Sequence, residues 1–250
     1  ICLCFAFSLS ALNDLDIQSA DVSNAYLNAP SRERLITKCN PEFGADMQGR
    51  WAIIQRALYG SKSAAASWRA SIIGLLEQLG FKMCRADNDV MMRAGFNSKN
   101  NAVWEYILVY SDDFLVIAAD PKLIISLIDK QFKIKEGSDG EPMQYLGAAI
   151  SKFQFEDGTW AWAMSSDTYI KSAIANIEAY LKKRNEKQLK TKTSCVMPSG
   201  WKPEMDVTDL LLDEDAAFYQ SQIGVLRWAV ELGRIDVATE VSMLTAYSAA

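Results

Sequence analysis

The sequence predicts an α+β protein in which antiparallel hairpins alternate with amphipathic helices. Three observations carry this reading. First, β-prone apolar residues run from Tyr106 to Ile117, interrupted by Ser111-Asp112-Asp113. An unpaired buried carboxylate costs several kcal/mol, so two adjacent ones conflict with a buried strand. A tight turn removes the conflict: the flanks pair as a hairpin, and the acids sit at its tip, where a cation can neutralise them. Second, strand-like runs at about 144–155 and 159–164 meet at Asp157-Gly158, a hairpin-turn dipeptide. Third, four stretches repeat apolar residues at helical steps of three and four.

Taken in order, Ile1–Leu12 reads as a helix buried on most sides, leading into a strand that ends near Asp21. Residues 29–60 read as loop at first, with Pro30, Pro41, Gly44 and Gly49, and then as a strand over Trp51–Leu58. Ala64, Trp68, Ile72, Leu75 and Leu79 predict a helix over Ser63–Leu79, which Gly80 stops. Val103–Ile117 forms the central hairpin. Pro121–Phe132 is an amphipathic helix with Ile124, Leu127 and Ile128 on one face. Beyond the second hairpin, Ser166-Asp167 caps a helix whose inner side carries Ile170, Ile174, Ile177 and Leu181. Residues 184–212 read as irregular. Asp213-Glu214-Asp215 suit a helix N-terminus, with Tyr219, Ile223, Leu226 and Val230 lining the helix they open. Gly233 breaks it before a last helix.

With 250 residues, half of them apolar, the chain can bury a sizeable core in one or two domains. It has no histidine, which excludes a Ser-His-Asp triad, a Cys-His pair, a His-ligated zinc site and a His general base. The cysteines (Cys2, Cys4, Cys39, Cys84, Cys195) are odd in number, scattered and without a Cys-x-x-Cys pair, which fits reduced thiols in an intracellular protein. The apolar N-terminus lacks a basic leader and is too short to span a bilayer. Net charge is −5, unusual for a nucleic-acid binder, but it is unevenly spread. Residues 170–192 carry a net +5 and residues 193–250 a net −6, so a basic stripe exists on an acidic chain. As a stretch, Lys182 to Lys187 equally suits a solvated linker.

Four short motifs follow one another along the chain: Asp21-Val22-x-x-Ala25-Tyr26-Leu27, Leu58-Tyr59-Gly60-x-Lys62, Tyr110-x-Asp112-Asp113 and Tyr145-Leu146-Gly147. In this order they resemble motifs of a reverse transcriptase of the copia-type LTR retrotransposons. Weaker similarity runs through Trp68, Gly80-Phe81, Asp87-x-Asp89 and Tyr219 to Leu226, so nearly the whole chain is covered. The resemblance implies a palm of antiparallel sheet and packed helices over residues 1–150, with the second half of the fingers at about 29–62, and a mainly helical thumb over 151–250. It places the first half of the fingers before Ile1 and a ribonuclease H domain after Ala250. On that basis the 250-residue chain alone is expected to polymerise weakly or not at all.

The implied activity is RNA-directed DNA polymerisation, with deoxynucleotides added to a primer 3′-hydroxyl. This chemistry uses two Mg²⁺ ions about 4 Å apart, with Mn²⁺ as a substitute. Mg²⁺ takes hard oxygen ligands, and Asp21, Asp112 and Asp113 supply them without His or Cys. By resemblance, Asp21 and Asp112 bridge the ions, Asp113 is more peripheral, and the backbone carbonyl of Val22 joins the metal site. Tyr26 lies under the incoming sugar, where a ring collides with a 2′-hydroxyl. Asn24 and Ala25 offer backbone N–H groups to the triphosphate. Tyr59, Gly60 and Lys62 belong to the second substrate-binding motif, and Leu146 and Gly147 grip the primer. The implied partners are an RNA or DNA template with its primer, deoxynucleoside triphosphates and other polyprotein segments, in the cytoplasm or in virus-like particles.

The chain departs from the copia pattern in having Ser63-Ala64-Ala65 where Gln-Ser-Pro is usual. That change removes polar groups near the templating base and a helix-starting proline. It favours one alternative, a non-catalytic decayed or co-opted copy that keeps the fold and binds nucleic acid. A second alternative, an Mg²⁺-dependent phosphohydrolase built on Asp14-Leu15-Asp16, needs an apolar strand before the Asp-x-Asp, and Ser10-Ala11-Leu12-Asn13 does not provide one.

Overall fold

A computed structural model describes residues 2–190, 197, 200, 202 and 209–249. The chain divides into two compact units, Cys2–Pro142 and the residues from Met143 onward. Among the described residues, no helix is long and apolar enough to cross a membrane.

The first unit opens with α1 (Cys2–Leu12) and β1 (Asp16–Asp21), followed by a 3-10 turn over Ala25–Asn28. A two-stranded ribbon comes next, β2 (Pro30–Lys38) paired with β3 (Trp51–Arg56). Then come α2 (Ala64–Gln78), β4 (Lys82–Met83), β5 (Val90–Phe96), β6 (Ala102–Tyr110), β7 (Asp113–Ala118) and α3 (Pro121–Asp129). Five of these strands form an antiparallel sheet in the order β1-β7-β6-β5-β4.

The centre of this sheet is β7. Phe114, Leu115, Val116, Ile117 and Ala118 all have zero exposure. Side chains alternate across a strand, so both faces of β7 are covered. On one face Phe114, Val116 and Ala118 share a core with Trp68, Ile72 and Leu76 of α2 and Ile124 and Ile128 of α3. On the other, α1 packs against β7. The expectation that α1 is buried on most sides is corrected: Ala6, Phe7 and Ser10 are buried, whereas Phe5 and Leu12 are exposed. The helix covers one face of a sheet with one stripe of residues, and the Ser10 hydroxyl fixes its exit by donating to the Leu15 carbonyl at 2.6 Å.

Gly80 ends α2 as the sequence predicts. With a φ of +87° it lets Gly80 N–H reach the Glu77 carbonyl and Phe81 N–H reach Leu76 O, both at 3.0 Å, and Phe81 is buried in the same core as Leu76. At the other end of the unit, Asp120 caps α3 by accepting from Leu123 N–H at 3.0 Å.

Three strands of this unit, β2, the two-residue β4 and β5, are not legible in the sequence. β2 falls in the stretch read as loop: it is polar, half of a two-stranded ribbon, and its pairing is irregular between Pro30 and Leu35. β5 carries Arg93 and Gly95 within its span, and both depend on a partner across the sheet. Arg93 Nε donates to Glu105 Oε2 at 2.7 Å, its other arm donates to Leu79 O at 3.0 Å, and its guanidinium lies 4.5 Å from the Phe81 ring centre. Glu105 is buried, and a Cβ on Gly95 would lie 2.9 Å from its Cδ. Gly95 is thus the space that the carboxylate occupies.

In the second unit, β8 (Gln144–Tyr145), β9 (Ala148–Gln154) and β10 (Trp160–Ser165) form a three-stranded antiparallel sheet. The predicted second hairpin is therefore three strands, because Leu146 and Gly147 (φ +52° and +91°) turn the chain between β8 and β9. The helices are α4 (Asp167–Lys183), α5 (Asp213–Glu231) and α6 (Ala238–Thr245). In α4 the buried residue is Ala173; of the expected stripe Ile170, Ile177 and Leu181 are half-buried, but Ile174 is 43% exposed, and Tyr169, Ala173 and Tyr180 take part in the inward side instead. The tyrosines account for the shift. Tyr169 donates its hydroxyl to Val225 O at 3.2 Å, and Tyr180 stacks on Phe218 at 3.6 Å and donates to Asp215. Most of the stretch read as irregular lies outside the described residues, as do Cys195 and the side chains of Cys2 and Cys4. Cys39 and Cys84 are free thiols.

Gly95→Ala should destabilise the chain by about 1–3 kcal/mol through overpacking. In a Glu105→Ala background most of that cost should vanish, since the clash is gone. Urea unfolding of the two single variants and the double variant measures this coupling, and simple additivity would contradict it.

Candidate active site

The apolar run forms β6 and β7, and the two residues between their ends, Ser111 and Asp112, make the turn. Ser111 takes a left-handed φ of +58°, uncommon for a residue with a side chain, and its neighbours hold it there. Trp68, fully buried in α2, donates its indole N–H to the Ser111 carbonyl at 2.6 Å. The Tyr26 hydroxyl lies 3.4 Å from Ser111 Oγ. Val22 N–H donates to the Asp112 carbonyl at 3.0 Å. A helix, a 3-10 turn and the end of β1 thus all meet the hairpin tip.

β1 pairs with β7 so that Asp21 stands directly opposite Asp113. Directly opposed residues share a face of the sheet, so the two carboxylates are neighbours although they are far apart in sequence. Burial pushes the Asp113 carboxyl above the ordinary carboxylate range; the charges of Asp112 and then Asp21 push the same way, against Lys135. Nearby, the Tyr59 phenol is raised, first by desolvation and then by Asp112, Tyr26 and Asp21. Asp21, Asp112, Asp113, Tyr26 and Tyr59 therefore share one electrostatic neighbourhood.

The donors present suit a hard divalent cation: carboxylate oxygens, with the Val22 backbone alongside. The Asp113 carboxyl is raised first by burial and then by its acidic neighbours, and a cation bound there would favour its ionised form. Among the described residues, however, no three His, Cys, Asp or Glu side chains stand close enough to form a ready metal cage. Asp21 Oδ2 is instead 3.3 Å from the Lys135 ammonium.

Asn24, left-handed at φ +50°, turns the chain out of β1 into the 3-10 turn, where Leu27 N–H donates to Asn24 O at 2.9 Å. Ala25 is buried, and the Tyr26 ring lies against the core with its centre 4.6 Å from that of Tyr59. Gly60 (φ +89°) makes the turn that presents Tyr59, and Ser61 N–H closes it on Leu58 O at 3.0 Å. Lys62 is exposed beside this turn. A cavity of about 280 Å³ lies between Tyr26, Trp68, Tyr110 and Ser111, with the Arg69–Asp89 ion pair (2.7 Å) on its wall.

Leu146 and Gly147 belong to the second unit. The Leu146 carbonyl accepts from Trp228 Nε1 at 3.0 Å, and a Cβ on Gly147 would meet Tyr169 at an ordinary 3.6 Å. Of the basic stretch, Lys171 pairs with Asp167 and Arg184 with Glu186 and Asp215, whereas Lys182, Lys183, Lys187 and Lys190 are exposed. Lys192 lies outside the described residues. The phosphohydrolase alternative gains nothing: Asp14 sits in the turn before β1, ion-paired with Lys99, and Asp16 opens that strand rather than following one.

Sequence reasoning missed three contributors. Glu33 of β2 accepts from Ser63 N–H at 2.6 Å; the Ser63 side chain first, then that N–H and Lys62, hold its carboxyl below the ordinary range. Ser138 accepts from Asp21 N–H at 3.1 Å, and Lys135 N–H donates to Asp21 O at 2.8 Å. No periodicity marks these residues; Ser138 and Lys135 are placed only by the approach of residues 133–140 to the edge of β1, and Glu33 only by the reach of β2 to the start of α2.

Comparison with known proteins places this geometry. Residues 2–197 match the family model described as reverse transcriptase (RNA-dependent DNA polymerase). The chain is 28% identical over 229 residues to a putative transposon Ty5-1 protein of Saccharomyces cerevisiae, covering 91% of this chain and 68% of that protein. It is 25% identical over 250 residues to the retrovirus-related Pol polyprotein from transposon TNT 1-94 of Nicotiana tabacum, covering 96% of this chain and 17% of the polyprotein. Identity with the transposon Ty1-DR1 Gag-Pol polyprotein of S. cerevisiae is 30% over 158 residues, or 60% of this chain and 8% of that one. The chain thus spans under a fifth of either polyprotein. It belongs to the reverse transcriptase family, as an RNA-directed DNA polymerase segment of the copia type.

A carboxyl whose pKa is higher in the folded than in the unfolded chain stabilises the fold at acid pH and loses that contribution as pH rises through the folded value. Without divalent metal, Asp113→Asn should therefore match the wild-type Tm below the ordinary aspartate pKa of about 3.9 and exceed it at neutral pH. Thermal unfolding across pH measures the difference, and a gap that stays constant with pH would contradict the assignment.

Proposed function

We propose that Asp21, Asp112 and Asp113, with the Val22 carbonyl, form the catalytic centre for adding deoxynucleotides to a primer 3′-hydroxyl on an RNA or DNA template. The observation that carries this reading is the register of β1 on β7, with Asp21 opposite Asp113 and Val22 bound to Asp112, inside a chain of this family. These four residues would hold two divalent cations, Mg²⁺ or Mn²⁺, which when bound lower the pKa of the 3′-hydroxyl and neutralise charge on the phosphates.

The chain's own residues do the rest. The Tyr26 ring, backed by Tyr59, is the surface on which the sugar rests, and it leaves no room for a 2′-hydroxyl. Asn24 and Ala25 N–H groups face the triphosphate, and Gly60 allows Tyr59 and Lys62 to approach it. Leu146 and Gly147 hold the primer backbone, and the lysines at the end of α4 bind duplex phosphates, a sequence-independent contact. In this reading residues 1–150 are the palm with part of the fingers at about 29–62, and residues 151–250 are the thumb.

Ser63-Ala64-Ala65 supports a second reading, a fold that binds nucleic acid without catalysis. Metal binding separates the two. Mn²⁺ should raise the Tm by mass action on the folded state, and Asp112→Asn should lose most of that gain. An equal response in both proteins would sink the catalytic assignment.

Sugar selection gives a further check. In polymerase assembled from the parent polyprotein, Tyr26→Val should raise ribonucleotide incorporation by roughly 10-fold or more relative to deoxynucleotides. An unchanged ratio in primer extension would make Tyr26 a core aromatic only.

A further inference from the structure

We propose that Lys135 is a built-in counter-cation of the carboxylate site, so that a divalent ion loads by displacing its ammonium from Asp21. This rests on the reading of Asp21, Asp112 and Asp113 as metal ligands.

Backbone contacts place Lys135 where it is. Residues 133–140 run along the free edge of β1 and bond to it at both ends. Ser23 N–H donates to Lys133 O at 2.9 Å, Lys135 N–H to Asp21 O at 2.8 Å, and Ser19 and Gly140 exchange bonds of 2.9 and 3.1 Å. Val22 and Ile134 form a bridge, and Ser138 Oγ accepts from Asp21 N–H at 3.1 Å while donating to Lys135 O at 2.8 Å. The Lys135 backbone is thus fixed against Asp21.

Its side chain is not confined. The Lys135 side chain is 65% exposed, against 27% for Asp21, and its Nζ lies 3.3 Å from Asp21 Oδ2. A flexible stem on a fixed backbone can swing into solvent without disturbing the strand. The same ammonium acts on Asp113, where it opposes the like charges of Asp21 and Asp112. One positive charge facing three carboxylates relieves their repulsion but leaves the site net negative, so a divalent ion is still attracted. Asp21 is engaged by Lys135, and among the described residues no three such side chains form a ready cage. The lysine therefore stabilises the metal-free protein and weakens metal binding, both through one contact.

The test is a Mn²⁺ titration of the chain followed by thermal unfolding and by electron paramagnetic resonance of free Mn²⁺. Lys135→Gln should lower the Tm without metal and reach half-saturation at a severalfold lower Mn²⁺ concentration than wild type. Lys135→Arg, which keeps the charge, should require at least as much Mn²⁺ as wild type. Lys133→Gln removes an equal charge two residues away and should behave as wild type, which separates contact from net charge. Equal or weaker Mn²⁺ binding by Lys135→Gln, or tighter binding by Lys135→Arg, overturns the proposal while leaving the metal ligands in place. If neither wild type nor Lys135→Gln binds Mn²⁺, the reading of the carboxylates as ligands fails and the counter-cation falls with it.

Discussion

Burial of β7 on both faces is the constraint on which the first unit depends. Five consecutive residues without exposure can be satisfied only by strands on both sides, helices on one face and α1 on the other. The buried run Phe114–Ala118 has no room for charge, so the acids collect at its mouth, Asp113 as the first residue of β7 and Asp112 in the turn before it. There the hairpin tip is tied by Trp68, Val22 and Tyr26. The site is the place where that apolar run meets water, backed by the core behind it.

Much of this was legible in the sequence because the contrast was strong. Two carboxylates after Tyr110-Ser111, flanked by Val, Ile, Leu and Phe, specify a hairpin tip, and Gly80 specifies a helix end. The readings that failed did so for physical reasons. β2 alternates charged residues with half-buried ones and pairs with a single partner, so no apolar run announces it. The stripe of α4 shifted because tyrosine hydroxyls, rather than isoleucine side chains, found partners in α5. The convergence of Asp21 with the hairpin was readable only from motif order; the register that sets Asp21 against Asp113 and the approach of Lys135 are tertiary facts that leave no periodicity.

The departure at Ser63-Ala64-Ala65 leaves the start of α2 without the proline that suits a first turn. A separate contact anchors it: Glu33 reaches across from β2 to accept the Ser63 N–H, and its charge suits the positive end of the helix. The start of α2 therefore depends on the ribbon formed by β2 and β3, so that ribbon supports the same helix whose Trp68 holds the hairpin tip.

The pairing of β1 with β7 has a consequence for how copies of such an element lose function. Side chains alternate along a strand, so a one-residue slip of β1 would turn Asp21 away from Asp113 and carry Ile17 and Ala20 out of their buried positions. An in-frame deletion of a single codon between Leu15 and Asp21 would keep the reading frame and every carboxylate, yet separate the acids. The Asp157-Gly158 turn joins β9 and β10 at an exposed tip and can absorb an added residue at little cost. A length change within β1 thus separates the acids without removing either, and an inventory of motif residues alone would count such a copy as intact.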